Sequence, residues 1–230
     1  DGSDFLPTHA ANQIAKAVAK SRILIIDALD DLPPKPSIEN IKISVAPTFG
    51  SRWLAKRLPQ LRHLIKPIQI DIVSRVDLSD DADLWIRHGD IGRWPGRISK
   101  PLLKEIKMPV ASPNLVGYSK RSDKDVLGYP LLGVEARPME WRDWAKRSKL
   151  KVLEDPNFTF EVTTSAWDAA IAGSGVALGD LEFLEEEITS GALVTLGTTK
   201  LTSHSYFLCR RRHDQRKEIF QVWDWFVSQT

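Results

Sequence analysis

The chain has 230 residues, enough for one large domain or two units of about 100 residues each. Hydrophobic residues make up 42% and charged residues 27%, an ordinary globular balance, and a net charge of +2 gives no electrostatic case for nucleic acid. A single cysteine, Cys209, excludes an intrachain disulfide, and no apolar run approaches the ~20 residues that span a bilayer. With no basic stretch leading into an apolar core at the start, a cytoplasmic location is expected.

From Ala10 to Leu32 the chain lacks Gly and Pro and reads as one helix. Ala11, Val18, Ile25 and Leu32 recur every seven residues, with Ile14, Ser21 and Ala28 between them. Such a stripe packs either on its own domain or on a second chain. The all-round apolar run Ile23-Leu24-Ile25-Ile26 and the linker that follows favour a second chain, so Ala11, Val18, Ile25 and Leu32 are the expected dimerisation positions. Leu32-Pro33-Pro34-Lys35-Pro36 ends the helix, because each proline fixes φ and removes a donor. A domain boundary is expected there.

Beyond it, Ile41 to Ala46 alternates as a strand, and a turn at Pro47 to Ser51 leads into a helix from Arg52 to Lys66, with Pro59 kinking it. Strands are predicted over Ile68–Val73 and Asp83–Arg87, so strand, helix, strand suggests a βαβ unit with a parallel sheet. Further strands are expected near Ile106–Ala111, Pro130–Val134, Phe160–Val162, Val176–Gly179 and Tyr206–Arg210. Helices are expected to start at Ser112 and to run over Met139–Arg147, Ser165–Ala172 and Gln215–Ser228. The fold class is α/β.

Catalytic signatures are missing. The five histidines (His9, His63, His88, His204, His213) have no metal-ligand spacing, and neither HExxH, CxxC nor a Gly-x-Ser-x-Gly elbow occurs. Gly173-Ser174-Gly175 follows a helix instead of opening one, so it is no phosphate loop. Glu185-Glu186-Glu187 reads as a solvated helix face, and Arg210-Arg211-Arg212 with Arg216 and Lys217 as either a phosphate patch or a solvated strand end. Cys209, in an apolar segment, reads as a buried thiol more readily than as a redox sensor. No enzyme activity, metal or cofactor is expected.

Several stretches together resemble the effector domains of LysR-type transcriptional regulators. Ser44-Val45-Ala46-Pro47-Thr48-Phe49 with Arg52-Trp53-Leu54 is similar to the opening strand and helix of that family. Asp83-Leu84-Trp85-Ile86-Arg87 and Arg93-Trp94-Pro95-Gly96 resemble signatures of its glycine-cleavage-activator subgroup. Val110-Ala111-Ser112-Pro113, the tryptophans Trp141 and Trp144, and the segment from Ala169 to Gly179 also match, in order. Phe5 to Ala11 looks like the degraded end of a winged-helix wing.

The resemblance implies a type 2 periplasmic-binding-protein-like architecture, two Rossmann-like lobes preceded by a long linker helix. Residues 1–37 would be the linker helix and hinge, 38–111 with 205–230 the first lobe, and 112–204 the second. It also implies a small-molecule effector between the lobes, a homodimer or homotetramer, and no membrane contact. The winged helix-turn-helix of the family is absent from this sequence, so DNA contact would need that domain. The stretch between Val73 and Asp83 is shorter than in the family, which bears on one wall of the cleft.

Ligands of open α/β sheets bind beyond the carboxyl ends of strands, where helices begin. Thr48, Phe49 and Ser51, then Ser112, then Thr163 and Thr164 stand at such starts, where free N–H groups attract carboxylates. Each hydroxyl is otherwise an N-cap. Arg87 either grips an acidic ligand or pairs with Asp83 or Asp90, and Trp94 and Trp141 either line the pocket or pack in the core. The expected ligand is a small carboxylate or an amino-acid-like molecule.

Overall fold

The computed structural model describes residues 8–30, 40–64, 69–73, 82–90, 94, 96–119, 121–150 and 155–230. Leu32, the proline-rich connector, Phe5 to Pro7 and most of the shortened stretch before Asp83 lie outside the described residues.

Helix α1 (His9–Asp30) spans 22 residues, and every side chain described in it is exposed. Strand β1 (Asn40–Val45) buries Ile41, Ile43 and Val45, each at most 3% exposed. Pro47 then opens a helix directly, where a turn was expected: α2 (Pro47–Phe49) widens through a π-helical turn (Gly50–Leu54) and continues as α3 (Ala55–Leu64). Proline suits a first helical position, since its missing N–H would lack a partner there anyway. The helix runs on through Pro59, and its irregularity is the π turn upstream.

β2 (Gln69–Val73) and β3 (Leu84–Gly89) flank β1 in parallel. β4 runs from Arg97 to Ala111, far longer than expected. The second half of the chain follows as α4 (Pro113–Val116), α5 (Asp123–Val126), β5 (Leu131–Val134), α6 (Glu140–Arg147), β6 (Phe158–Phe160) and α7 (Thr163–Ile171). It closes with β7 (Val176–Asp180), a 3₁₀ turn (Leu181–Phe183), α8 (Glu185–Thr189), β8 (Val194–Thr195), β9 (Lys200–Arg211) and α9 (Lys217–Ser228). β6 ends before Val162, and α7 starts two residues ahead of Ser165, so Thr163 and Thr164 belong to the helix.

The strand order is β2-β1-β3-β9-β4-β7-β5-β6, with β8 against β4. The sheet is mixed: β1, β2 and β3 are parallel, as are β5, β6 and β7, but β9 and β4 run antiparallel to their neighbours. β4 pairs with β9 from Arg97 to Lys107 and with β7 from Lys107 to Val110, so two long strands join two parallel halves. Gly175 lets the α7–β7 turn reach β5, because a Cβ there would lie 2.5 Å from the Pro130 carbonyl oxygen.

Apolar packing is continuous across the halves. Phe49, after β1, meets Tyr206 of β9 at 5.5 Å between ring centroids and Phe183, after β7, at 6.2 Å. Phe183 also meets Tyr206 at 5.2 Å and Trp167 of α7 at 6.3 Å. Ion pairs follow the same seam: Arg52 binds Asp168 (2.9 Å) and Glu187 (2.5 Å), and Lys56 binds Glu186 (2.7 Å). The acidic run of α8 is therefore a clasp, not a wholly solvated face. Replacing Phe183, 1% exposed, by alanine is expected to lower the unfolding free energy by ~3–5 kcal/mol, read from urea denaturation.

Candidate functional site

Extended chain presents alternate residues to one face. On β9 this puts Thr202, His204 and Tyr206 together, and β3 sets His88 directly beside Tyr206. The ladder between β4 and β9 steps from Lys104 opposite Ser205 to Ile106 opposite Leu201. That irregularity leaves Glu105 facing the stretch from Thr202 to His204.

Glu105 is 2% exposed and heavily engaged. Arg137, just after β5, donates to its Oε1 at 2.5 Å, and Thr202 donates to Oε2 at 2.8 Å. His88 Nε2 lies 2.9 Å from Oε1, the Lys107 ammonium 3.6 Å from Oε1, and His204 Nδ1 3.7 Å from Oε2. Burial works against the charged carboxylate, but the His88 hydrogen bond, Lys107 and Arg137 outweigh it and hold Glu105 well below the usual carboxylate range. Burial lowers His88 despite its bond to Glu105, so its imidazole stays neutral at neutral pH.

Two more carboxyls shift the other way. Burial raises Glu140 at the start of α6, with Lys107 Nζ 3.4 Å away opposing the shift, and burial pushes Asp180 up to about 7. His88, Glu105, Lys107, Arg137 and Glu140, but not Asp180, line a cavity of about 210 Å³. Its lining comes from β3 (His88), β4 (Glu105, Lys107), β9 (Lys200, Thr202, His204), the segment 136–139 and α6 (Glu140, Asp143, Trp144, Arg147). Four basic side chains thus face three acidic ones and two imidazoles.

None of the nine ligand residues expected from sequence lines this cavity. Thr48 is 8% exposed, Phe49 is in the core, and Ser51 donates to the Pro47 carbonyl at 3.1 Å. Arg87 faces the side of β3 opposite His88 and donates to the Ser44 carbonyl (3.0 Å) and hydroxyl (2.7 Å). Asp83 is bound instead by Arg216, and Asp90 lies 3.4 Å from His204. Trp94 packs with Trp85, Phe207 and Cys209, and Trp141 donates to the Leu132 carbonyl at 2.9 Å. Ser112 caps α4 by accepting from Asn114, and Thr163 is 6% exposed in the first turn of α7.

Elsewhere, burial raises the Cys209 thiol to about 12, which makes it inert as a nucleophile. Of the basic cluster, Arg210 lies over the rings of Phe220 (4.6 Å) and Trp223 (5.6 Å), and Arg211 approaches Asp83 (3.6 Å). No described helix is long and apolar enough to cross a membrane.

A family model, the LysR substrate binding domain, matches residues 36–230. The chain belongs to that family. The LysR substrate-binding domain described here is 30% identical over 193 residues to the glycine cleavage system transcriptional activator of Escherichia coli strain K12, covering 79% of this chain and 61% of that protein. It is 29% identical over 160 residues to an uncharacterized HTH-type transcriptional regulator, y4mQ, of Sinorhizobium fredii, covering 67% and 53% respectively. The chain therefore spans half to three fifths of these relatives, both transcriptional regulators by name. Among solved structures, the AmpR effector-binding domain of Citrobacter freundii superposes with a TM-score of 0.73 at 24% identity, over 83% of this chain and 98% of that one. The fold is the periplasmic-binding-protein-like type 2 fold.

The LysR domain's buried Asp180 has a pH consequence of definite sign. Its folded pKa of about 7 lies above the ordinary 3.8, so its full contribution is present below pH 3.8 and is lost as pH rises through 7. The Asp180→Asn variant should not suffer this loss. Urea midpoints at pH 5 and pH 8 are expected to show the wild type falling relative to the variant, and parallel profiles would refute the assignment.

Proposed function

We propose that this chain is the effector-sensing and oligomerisation module of a LysR-type transcriptional regulator. Residues 1–37 act as linker and dimerisation helix, 38–111 with 205–230 as one lobe, and 112–204 as the other. A small carboxylate or amino-acid-like effector occupies the cavity lined by His88, Glu105, Lys107, Arg137, Glu140 and His204. DNA binding belongs to a winged helix-turn-helix elsewhere in the full regulator, which works in the cytoplasm.

The observation that carries this reading is where the cavity lies. One wall is the pair of strands shared by both halves of the sheet, and the other is the segment after β5 with α6. A molecule held by both walls changes how the halves sit against each other, provided it binds one arrangement better than the other. The volume, about 210 Å³, is below the ~300–1,000 Å³ of pockets for drug-sized ligands, and suits a compact metabolite. The excess of basic over acidic lining favours an anionic one.

A second reading, a dimerisation module without a ligand, draws on the contacts of Phe49, Phe183 and Tyr206, which already join the halves. Thermal-shift and calorimetric screening against small carboxylates and amino acids separates the two. The sensing reading expects at least one compound to raise the melting temperature, with Arg147→Ala weakening its binding by roughly tenfold through loss of a charged partner. A panel without any hit would favour the second reading.

Oligomerisation rests on α1, where Ile14, Val18 and Ile25 are at least 60% exposed. Such apolar area in water favours association with a second copy. Light scattering is expected to find at least a dimer for the wild type and a monomer for the double variant Val18→Glu, Ile25→Glu.

A further inference from the structure

The geometry points to a binding site for one divalent transition-metal ion, of the zinc class, held by His88, Glu105 and His204 on the floor of the cleft. The three residues come from neighbouring strands β3, β4 and β9, and each offers a ligand atom within 4.8 Å of the others. Ligand atoms around a tetrahedral zinc ion stand roughly 3.4 Å apart, so side-chain rotation by about an ångström closes the set. His88 and His204 are already in contact, with ring centroids 5.1 Å apart.

Two imidazoles and one carboxylate form a donor set that prefers zinc-like transition metals over magnesium or calcium, which take oxygen ligands. The second shell fits as well. Asp90 Oδ1 lies 3.4 Å from His204 Nε2, which leaves Nδ1 turned toward Glu105, an orientation carboxylates commonly impose on metal-bound histidines. Thr202 donates to Glu105 Oε2 and fixes the carboxylate in turn. The side chains of His88 and His204 are 19% and 38% exposed, so an ion can enter from the cavity.

Arg137 and Lys107 also share Glu105, and their charges oppose a second cation there. The site is therefore expected to bind more weakly than a closed structural zinc site. Its remaining coordination positions open onto the cavity, where water or a small carboxylate can take them.

The metal site shares His88, Glu105 and His204 with the proposed effector cavity, and the test separates the two. Chelator-treated full chain is titrated with zinc chloride by calorimetry, and with cobalt(II) by absorption spectroscopy, at pH 7.5. About one ion per chain is expected, with a raised melting temperature and, for cobalt, the intense visible bands of tetrahedral coordination. His204→Asn and His88→Asn should each weaken binding by at least about tenfold, while His63→Asn, on the exposed face of α3, should leave it unchanged. Magnesium chloride should give no heat. Should His88→Asn unfold the chain, the partly exposed His204→Asn decides alone. Absence of binding up to millimolar zinc, or equal affinity in His204→Asn and wild type, overturns the proposal. Carboxylate binding that persists in chelator leaves the sensing reading intact whichever way the metal titration falls.

Discussion

The ionised carboxylate of Glu105, 2% exposed, constrains the centre of the molecule. A buried charge is costly unless paired and hydrogen-bonded, and the partners here come from three strands and a loop. His88 is on β3, Thr202 and His204 on β9, Lys107 on β4 itself, and Arg137 follows β5. Satisfying this one group therefore ties the strands shared by the two halves to the segment that follows β5. Arg137 depends on it equally, since burial opposes its charge and Glu105 helps to maintain it. Remove the carboxylate and the Arg137 guanidinium loses the counter-ion to which it is hydrogen-bonded.

Next to this polar floor the halves meet through aromatic rings. Phe49, Phe183 and Tyr206 form a triangle of contacts that excludes water, and Arg52 and Lys56 clasp the acidic side chains of α7 and α8 at its edge. Tyr206 belongs to both systems, because its hydroxyl also accepts from Arg137 at 3.4 Å. A dry, ring-filled contact beside a charged cavity gives the two halves a fixed seam with a pocket next to it. Close-packed rings resist gradual deformation, so the charged pocket is the more adaptable part of this contact.

Much of the architecture was legible from periodicity. Alternation marks β1 and β2, the short apolar run Leu84-Trp85-Ile86 marks β3, and the expected helix over Met139–Arg147 matches α6 to within one residue. β4 and β9 were each found only at their apolar ends. The missed part of β4, Arg97 to Glu105, is mostly exposed or half-buried and includes Pro101, so neither alternation nor apolar content announces a strand. Its extension comes from pairing with β9, a partner a hundred residues later in the chain. The turn assigned to Pro47–Ser51 failed for a related reason: proline and glycine punctuate loops on average, yet here they open and widen a helix whose burial of Phe49, Trp53 and Leu54 outweighs that preference.

The sequence by itself determined the class of fold and the family, because strand alternation, helix stripes and ordered motifs are local properties that survive without coordinates. It also marked α1 as a helix with an apolar stripe. The polar floor of the candidate site was decided by tertiary structure alone. His88, Glu105, Arg137 and His204 carry no motif spacing, and they meet only because β3, β9 and β4 are adjacent and the β4–β9 register slips at Glu105. The helix-start hydroxyls and Arg87 looked like ligand groups in one dimension. In three, burial and local hydrogen bonds to Ser44, Pro47 and Asn114 give Arg87, Ser51 and Ser112 partners within the protein itself. Which polar groups face a cavity is set by register and strand order, and those are long-range properties that no local pattern records.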